Sequence, residues 1–271
     1  MTPSDTEVVH TRATLARDLR RIGLPRGGIV LVHSSLSEVG TVAGGPAAVI
    51  AAVRDVLGPE GTLVAPTFTE HNSLSSNAYL EAVQGMTPAE KMWYHAQMPP
   101  FDRETMPSRG MGQIPEQLRM TPGAIRSDHP QTSFAALGPA AATLMDGHDR
   151  KCHLGELSPL GAMYRTGAHI LLLGAGYDSC SAFHLAEYRQ PEPPEAVYRC
   201  VVKTPDGRRE WCEYMDIVLD DTDFACIGEA LDRTGIVNRG EVGSAPTRLA
   251  PMGPAVDFAT RWLAENRRGT G

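Results

Sequence analysis

A strand–helix–strand unit near the N-terminus constrains the fold most. Ile29-Val30-Leu31-Val32-His33 is a short apolar run rich in β-branched residues, the pattern of a strand buried on both faces. Gly44-Gly45-Pro46 then opens a helix, with the proline suited to its first turn. Val49, Ile50, Val53, Val56 and Leu57 give that helix one apolar face. Gly58-Pro59-Glu60-Gly61 makes a turn, and Thr62-Leu63-Val64-Ala65-Pro66 is a second strand. Two strands joined through a helix pair in parallel with a right-handed crossover, and such a sheet needs helices on both faces.

The same alternation continues along the chain. Residues 11–23 form an amphipathic helix on Leu15, Leu19 and Ile22, closed by Gly23. Helices are expected over 112–120, from Pro139, and over 159–166, 181–188, 224–233 and 256–266; strands are expected over 133–138 and 169–174. Val197–Lys203 and Arg209–Met215 flank Thr204-Pro205-Asp206-Gly207, a hairpin signal. Gly235–Leu249 shows no assignable period. Residues 67–112 break the rhythm with Pro88, Pro99, Pro100 and Pro107, and leave directly from a strand end, so a lid is expected over a solvated excursion. The fold class is therefore α/β: a mixed sheet with a parallel core, an antiparallel hairpin and helices on both faces. Residues 1–271 are expected to form a single domain.

Net charge is −7 over 271 residues, which argues against nucleic acid as a partner and suits a cationic substrate. No apolar run reaches membrane-spanning length. The segment Met1–Glu7 lacks the parts of a signal peptide. The cysteines are Cys152, Cys180, Cys200, Cys212 and Cys226, an odd number without a CxxC pair. Reduced thiols and a cytoplasmic location are expected. Cys152-His153 has no partner at ligand spacing, so no metal is expected.

Four features can carry chemistry. Leu171-Leu172-Leu173-Gly174 delivers a strand end to a polar loop, and His184 follows with Glu187 at i+3 on the same helical face. Histidine takes a proton near neutral pH, and the carboxylate can orient it; an incidental surface pair fits the spacing equally well. His33-Ser34-Ser35 leaves the first strand ahead of Gly44-Gly45-Pro46, where backbone N–H groups can hold a ligand, or simply make a turn. His129, in Arg126-Ser127-Asp128-His129-Pro130, either lines a site or is structural. Glu210, Glu213, Asp216, Asp220, Asp221 and Asp223 place six carboxylates within fourteen residues. That run is either a solvated face or a pocket for several ammonium groups.

Several of these residues, in order, resemble the aminoglycoside 3-N-acetyltransferases. The match comprises Val32-His33-Ser34-Ser35-Leu36, Gly44-Gly45-Pro46, Gly61–Thr67, Arg126-Ser127 through His129-Pro130, Ser133–Gly138 and Glu156–Pro159. It continues through Leu171–Gly174, His184–Glu187, Tyr214–Phe224 and Glu241–Gly243, spanning roughly residues 11–265. The resemblance implies a family-specific α/β fold distinct from GNAT enzymes. It implies acetyl transfer from acetyl-CoA to the 3-amino group of the 2-deoxystreptamine ring of an aminoglycoside, giving antibiotic resistance in a monomer or homodimer. His184 would be the general base, Glu187 its support, and Ser181 a hydroxyl near the developing oxyanion. His33, Ser34, Ser35, Thr67, Ser133, Leu173 and Gly174 would serve acetyl-CoA. Glu70, His129, Asp216, Asp220, Asp221 and Asp223 would receive the antibiotic. Ser181 stands where many members carry Thr, and Val218 where several carry an acid. An N-acetyltransferase for another biosynthetic amine, a non-catalytic CoA-binding protein, and an aspartate of the 216–223 run in place of Glu187 remain open alternatives.

Overall fold

Each apolar run singled out above becomes an element of the structure, a computed structural model that describes residues 8–267. The heptapeptide read for a signal peptide lies outside the described residues. The chain runs β1 (Val9–His10), α1 (Arg12–Arg21), β2 (Ile29–Ser34), α2 (Leu36–Val39), β3 (Thr41–Val42), α3 (Gly45–Leu57) and β4 (Thr62–Pro66). It continues through α4 (Asn77–Ala82), α5 (Pro88–Gln97), α6 (Gln113–Arg119), β5 (Ile125–Arg126), β6 (Phe134–Leu137), α7 (Ala141–Met145), α8 (Pro159–Arg165) and β7 (His169–Leu173). It ends with α9 (His184–Tyr188), β8 (Glu195–Lys203), β9 (Arg209–Ile217), α10 (Phe224–Asp232), β10 (Asn238–Val242), β11 (Ala245–Pro251) and α11 (Met252–Asn266).

Seven strands form the main sheet in the order β10-β11-β7-β2-β4-β6-β5. β2 lies at its centre, parallel to β4 on one side and to β7 on the other. The flanking strands β11 and β6 run antiparallel, so the parallel core is three strands wide. The pleat sorts side chains into two cores. Leu31, Val64, Ile170 and Leu172 face α8, α10 and α11; Val30, Val32, Leu63, Leu171 and Leu173 face α1, α3 and α6. Each such fully buried aliphatic side chain contributes about 1.5–3 kcal/mol. β8 and β9 form a separate antiparallel hairpin.

Several stretches depart from the sequence pattern for physical reasons. The unassigned segment 235–249 holds β10 and most of β11, and four of the five residues of β10 are exposed, so no alternation marks it. Helices α4 and α5 bury no residue and carry no apolar stripe. A local signal for α5 was present: Thr87 and Glu90 form a capping box around Pro88. The stretch 181–188 begins as a 3-10 turn over Ser181–Phe183 and becomes α-helical only at His184.

The insertion 67–112 does not hang free. It is bridged to β8 at Ser73–Cys200 and Phe101–Val202. Its ends are tied together by Arg126, a residue 7% exposed, whose guanidinium donates to the carbonyls of Thr67 at 2.7 Å and Met106 at 2.5 Å and to Ser133 Oγ at 2.9 Å. Burial lowers its pKa to about 10. No lysine could reach these diverging acceptors from one planar group. Arg126→Met should therefore lower unfolding free energy by about 2–4 kcal/mol, since it leaves several buried acceptors unpaired. Urea denaturation checks this, and a loss under about 0.5 kcal/mol would remove the role.

Candidate active site

The site lies where the topology reverses direction. From β2 the chain passes to α3 on one face of the sheet; from the adjacent β7 it passes to α9 on the other. Ligands in open α/β sheets bind beyond the carboxyl ends of strands at such a point. The register sets His33 opposite Leu172 and Ser34 opposite Leu173, so both strands end level. Gly174 then turns the chain at φ +66°, where a Cβ would lie 2.5 Å from Glu38 Cβ.

A cavity of about 830 Å³ opens at these strand ends, a size typical of small-molecule sites. His33, Ser34 and Ser35 form one wall, with Ala175, Asp178, Ser179, Ser181 and His184 adjoining them. The insertion supplies Phe68, Asn77, Gly110, Met111 and Gly112, and Asp221 closes another side. The Ser34 hydroxyl is buried with no hydrogen-bond partner among the described residues. No lysine or arginine lines the cavity among the described residues.

His184 opens α9 and Glu187 follows one turn later, so the two side chains share a face. His184 Nδ1 and Glu187 Oε2 lie 2.6 Å apart, with the side chains 13% and 4% exposed. The carboxylate therefore fixes the ring with its proton on Nδ1 and leaves Nε2 free to act. The ring also rests against Phe224, with centroids 4.7 Å apart. Glu187 Oε1 accepts from the amide of Asp220 at 3.1 Å and from Arg267 Nη1. His33, from β2, reaches Ser181 Oγ at 3.3 Å. Burial, then the nearby charge of His184, lowers the His33 pKa to about 3, so His33 is neutral.

The remaining expected site residues divide sharply. Asp221 borders the cavity. Asp216 is 5% exposed and lines no part of it; its Oδ2 accepts from His153 Nδ1 at 2.6 Å and from the Tyr188 hydroxyl at 2.7 Å. Asp220 accepts from the Thr222 hydroxyl at 2.6 Å, and Asp223 pairs with Arg267 at 2.7 Å. Glu213 pairs with Arg199 on the hairpin. Glu70 borders a neighbouring hollow, against Gly110. Thr67 and Ser133 are fully buried and bond each other's backbone carbonyls at 3.1 and 2.8 Å. Leu173 is buried in the core, and Gly174 makes the turn above it.

His129 is fully buried, accepting from the amides of Gln131 and Thr132 at 3.2 and 3.0 Å. It stacks on His148 with centroids 4.6 Å apart and lies 4.8 Å from His153. His148 Nε2 donates to the carbonyls of Cys152 and His153 at 3.1 and 3.0 Å. These rings are structural supports behind the cavity wall at Thr132 and Leu154. Among the described residues no group of His, Cys, Asp or Glu is arranged to hold a metal ion. Among them, too, no helix is long and apolar enough to cross a membrane.

A family model described as aminoglycoside 3-N-acetyltransferase matches residues 31–264. The chain belongs to this family. The aminoglycoside N(3')-acetyltransferase-like protein YokD of Bacillus subtilis is 38% identical over 265 residues, 96% of this chain and 95% of its own. The YokD crystal structure matches with a TM-score of 0.89 and 37% identity, covering 98% of this chain and 97% of that one. Aminoglycoside N(3)-acetyltransferase VIII of Streptomyces fradiae is 36% identical over 277 residues, 96% of this chain and 93% of its own. The solved binary complex of AAC-IIIb with CoASH matches with a TM-score of 0.84 and 32% identity, covering 97% and 99% of the two chains.

Sequence reasoning about this acetyltransferase overlooked Asp178, Asn77 and Arg267. Asp178 had a signal, since it leaves the same strand end as His184. Arg267 had none, because its partners are 44 and 80 positions away.

The neutral histidines behind the site make the protein acid-sensitive. Burial lowers the His148 pKa from 6.5 to about 4. Between those values the unfolded chain binds a proton that the native state refuses, so stability falls as pH drops from 6.5 toward 4 and is unaffected above 6.5. His148 alone accounts for about 3 kcal/mol across that window. His148→Gln should reduce the slope of unfolding free energy against pH by about 1.4 kcal/mol per unit between pH 6 and 4.5. An unchanged slope in urea titrations at those pH values would contradict this.

Proposed function

We propose that the protein transfers acetyl from acetyl-CoA to the 3-amino group of a deoxystreptamine aminoglycoside, with His184 as general base. The observation that carries this reading is the His184–Glu187 pair, which leaves one ring nitrogen unbonded on a residue lining the cavity. The acceptor amine must be neutral to attack. As its nitrogen bonds to the thioester carbonyl carbon, His184 Nε2 takes its proton. Glu187 stabilises the imidazolium that forms. Collapse breaks the C–S bond, and the proton passes from Nε2 to the departing sulfur, giving the amide and free CoA. With His33 Nε2 donating to Ser181 Oγ, the serine proton is free for the developing oxyanion.

The residues fit both substrates. The unpartnered hydroxyl of Ser34 and the His33–Ser35 wall offer polar contacts for the pantetheine arm. Asp178 and Asp221 bring carboxylates to a cavity without lysine or arginine among the described residues, which suits a polycation. Acetyl-CoA and aminoglycosides entering a cell would meet the enzyme in the cytoplasm.

Purified protein given acetyl-CoA should release free thiol with at least one gentamicin-, kanamycin-, neomycin- or apramycin-like acceptor. Mass spectrometry should place the acetyl group on the 3-amino nitrogen. No release with any of them would refute the reading. His184→Ala should lower kcat about 10²- to 10⁴-fold; a near-wild-type rate in a folded variant would remove the base assignment.

A further inference from the structure

Arg267 lies beyond the segment that the family model matches, yet it reaches the centre of the site. Its Nη1 donates to Glu187 Oε1, its Nε to Asp223 Oδ2 at 2.7 Å, and its Nη2 to the carbonyl of Asp220 at 2.7 Å. One planar group thus spans α9, the residue that precedes α10, and the loop between β9 and α10. Glu187 is 3% exposed, and a buried carboxylate is stable only when its charge is met. Its two oxygens are divided: Oε2 holds His184 and Oε1 is held by Arg267.

We propose that Arg267 is a positioning residue for acetyl transfer, fixing Glu187 so that the His184 ring keeps Nε2 toward the cavity. This rests on the reading of His184 as the base. The guanidinium is the only Arg or Lys bonded to Glu187 among the described residues, and it also neutralises Asp223. Among the described residues, the charged and titratable groups around His184 are Glu187 on its own helix, His33 on β2, Asp178 in the loop after β7, Asp220, Asp221 and Asp223 ahead of α10, and Arg267. Removing Arg267 leaves this set with surplus negative charge and frees Glu187 to rotate.

The test compares wild type with Arg267→Ala, Arg267→Met and Arg267→Lys. A short His–carboxylate hydrogen bond gives a far-downfield proton resonance. Among the described residues two are expected, from His184–Glu187 and from His153–Asp216, both 2.6 Å. The first is identified by its loss in His184→Asn, and the second serves as an internal reference. In Arg267→Ala and Arg267→Met the His184 resonance should vanish or move upfield while that of His153 stays. Kcat should fall about ten- to a hundredfold, with KM for either substrate changed less than about threefold. The acid limb of kcat/KM should move to higher pH, and Arg267→Lys should recover part of both. An Arg267→Met protein that keeps the His184 resonance and the wild-type pH profile, and is only less stable, overturns the proposal. If Arg267→Ala does not fold, the Met and Lys variants decide. If no aminoglycoside is acetylated but the His184 resonance is still lost selectively, positioning stands and the catalytic reading falls.

Discussion

The parallel pairing of β2 with β7 is the constraint on which the site depends. Because His33 lies opposite Leu172 and both strands end level, the loop after β7 must cross the end of β2. That crossing brings Ser181 to His33 and sets the first residue of α9 over the cavity. A one-residue slip would exchange the two faces of β7, sending Leu171 and Leu173 into the wrong core. The register is thus defended by apolar burial on both sides of the sheet. The chemistry inherits that precision without supplying it.

Around the cavity, charge is handled by pairing and by suppression. Glu187, Asp216 and Asp223 are each matched by an arginine or a histidine, while burial keeps His33 and His148 neutral. Isolated buried charges would cost several kcal/mol each. The two aspartates that border the cavity, Asp178 and Asp221, lie outside this set of pairs. The wall facing a ligand is therefore mildly acidic, although several ionisable groups stand directly behind it.

This arrangement explains which parts were legible in the sequence. Helix α3 carries a periodic apolar face, strands β2, β4 and β7 are continuous apolar runs because both of their faces are buried, and the order of these elements implies the parallel core. The exposed edge strand β10 and the unburied helices α4 and α5 lack that periodicity, so pattern reading had nothing to detect there. His184 and Glu187 were readable because helical spacing is local. The acidic run was readable as composition but not as function. Whether Asp216 faces a ligand or His153 depends on a partner 63 positions away.

The long-range partners also explain why the site needs more than its dyad. A helix of five residues has too few internal hydrogen bonds to hold its own side chains still. Helix α9 is held from outside: Phe224 packs on His184, Tyr188 bonds Asp216, and Arg267 and the Asp220 amide grip Glu187. Its orientation is therefore a property of the junction between β9, α10 and the C-terminal segment. A histidine carried on so short a helix gains exposure at the strand ends, and its rigidity comes from side chains distant in sequence.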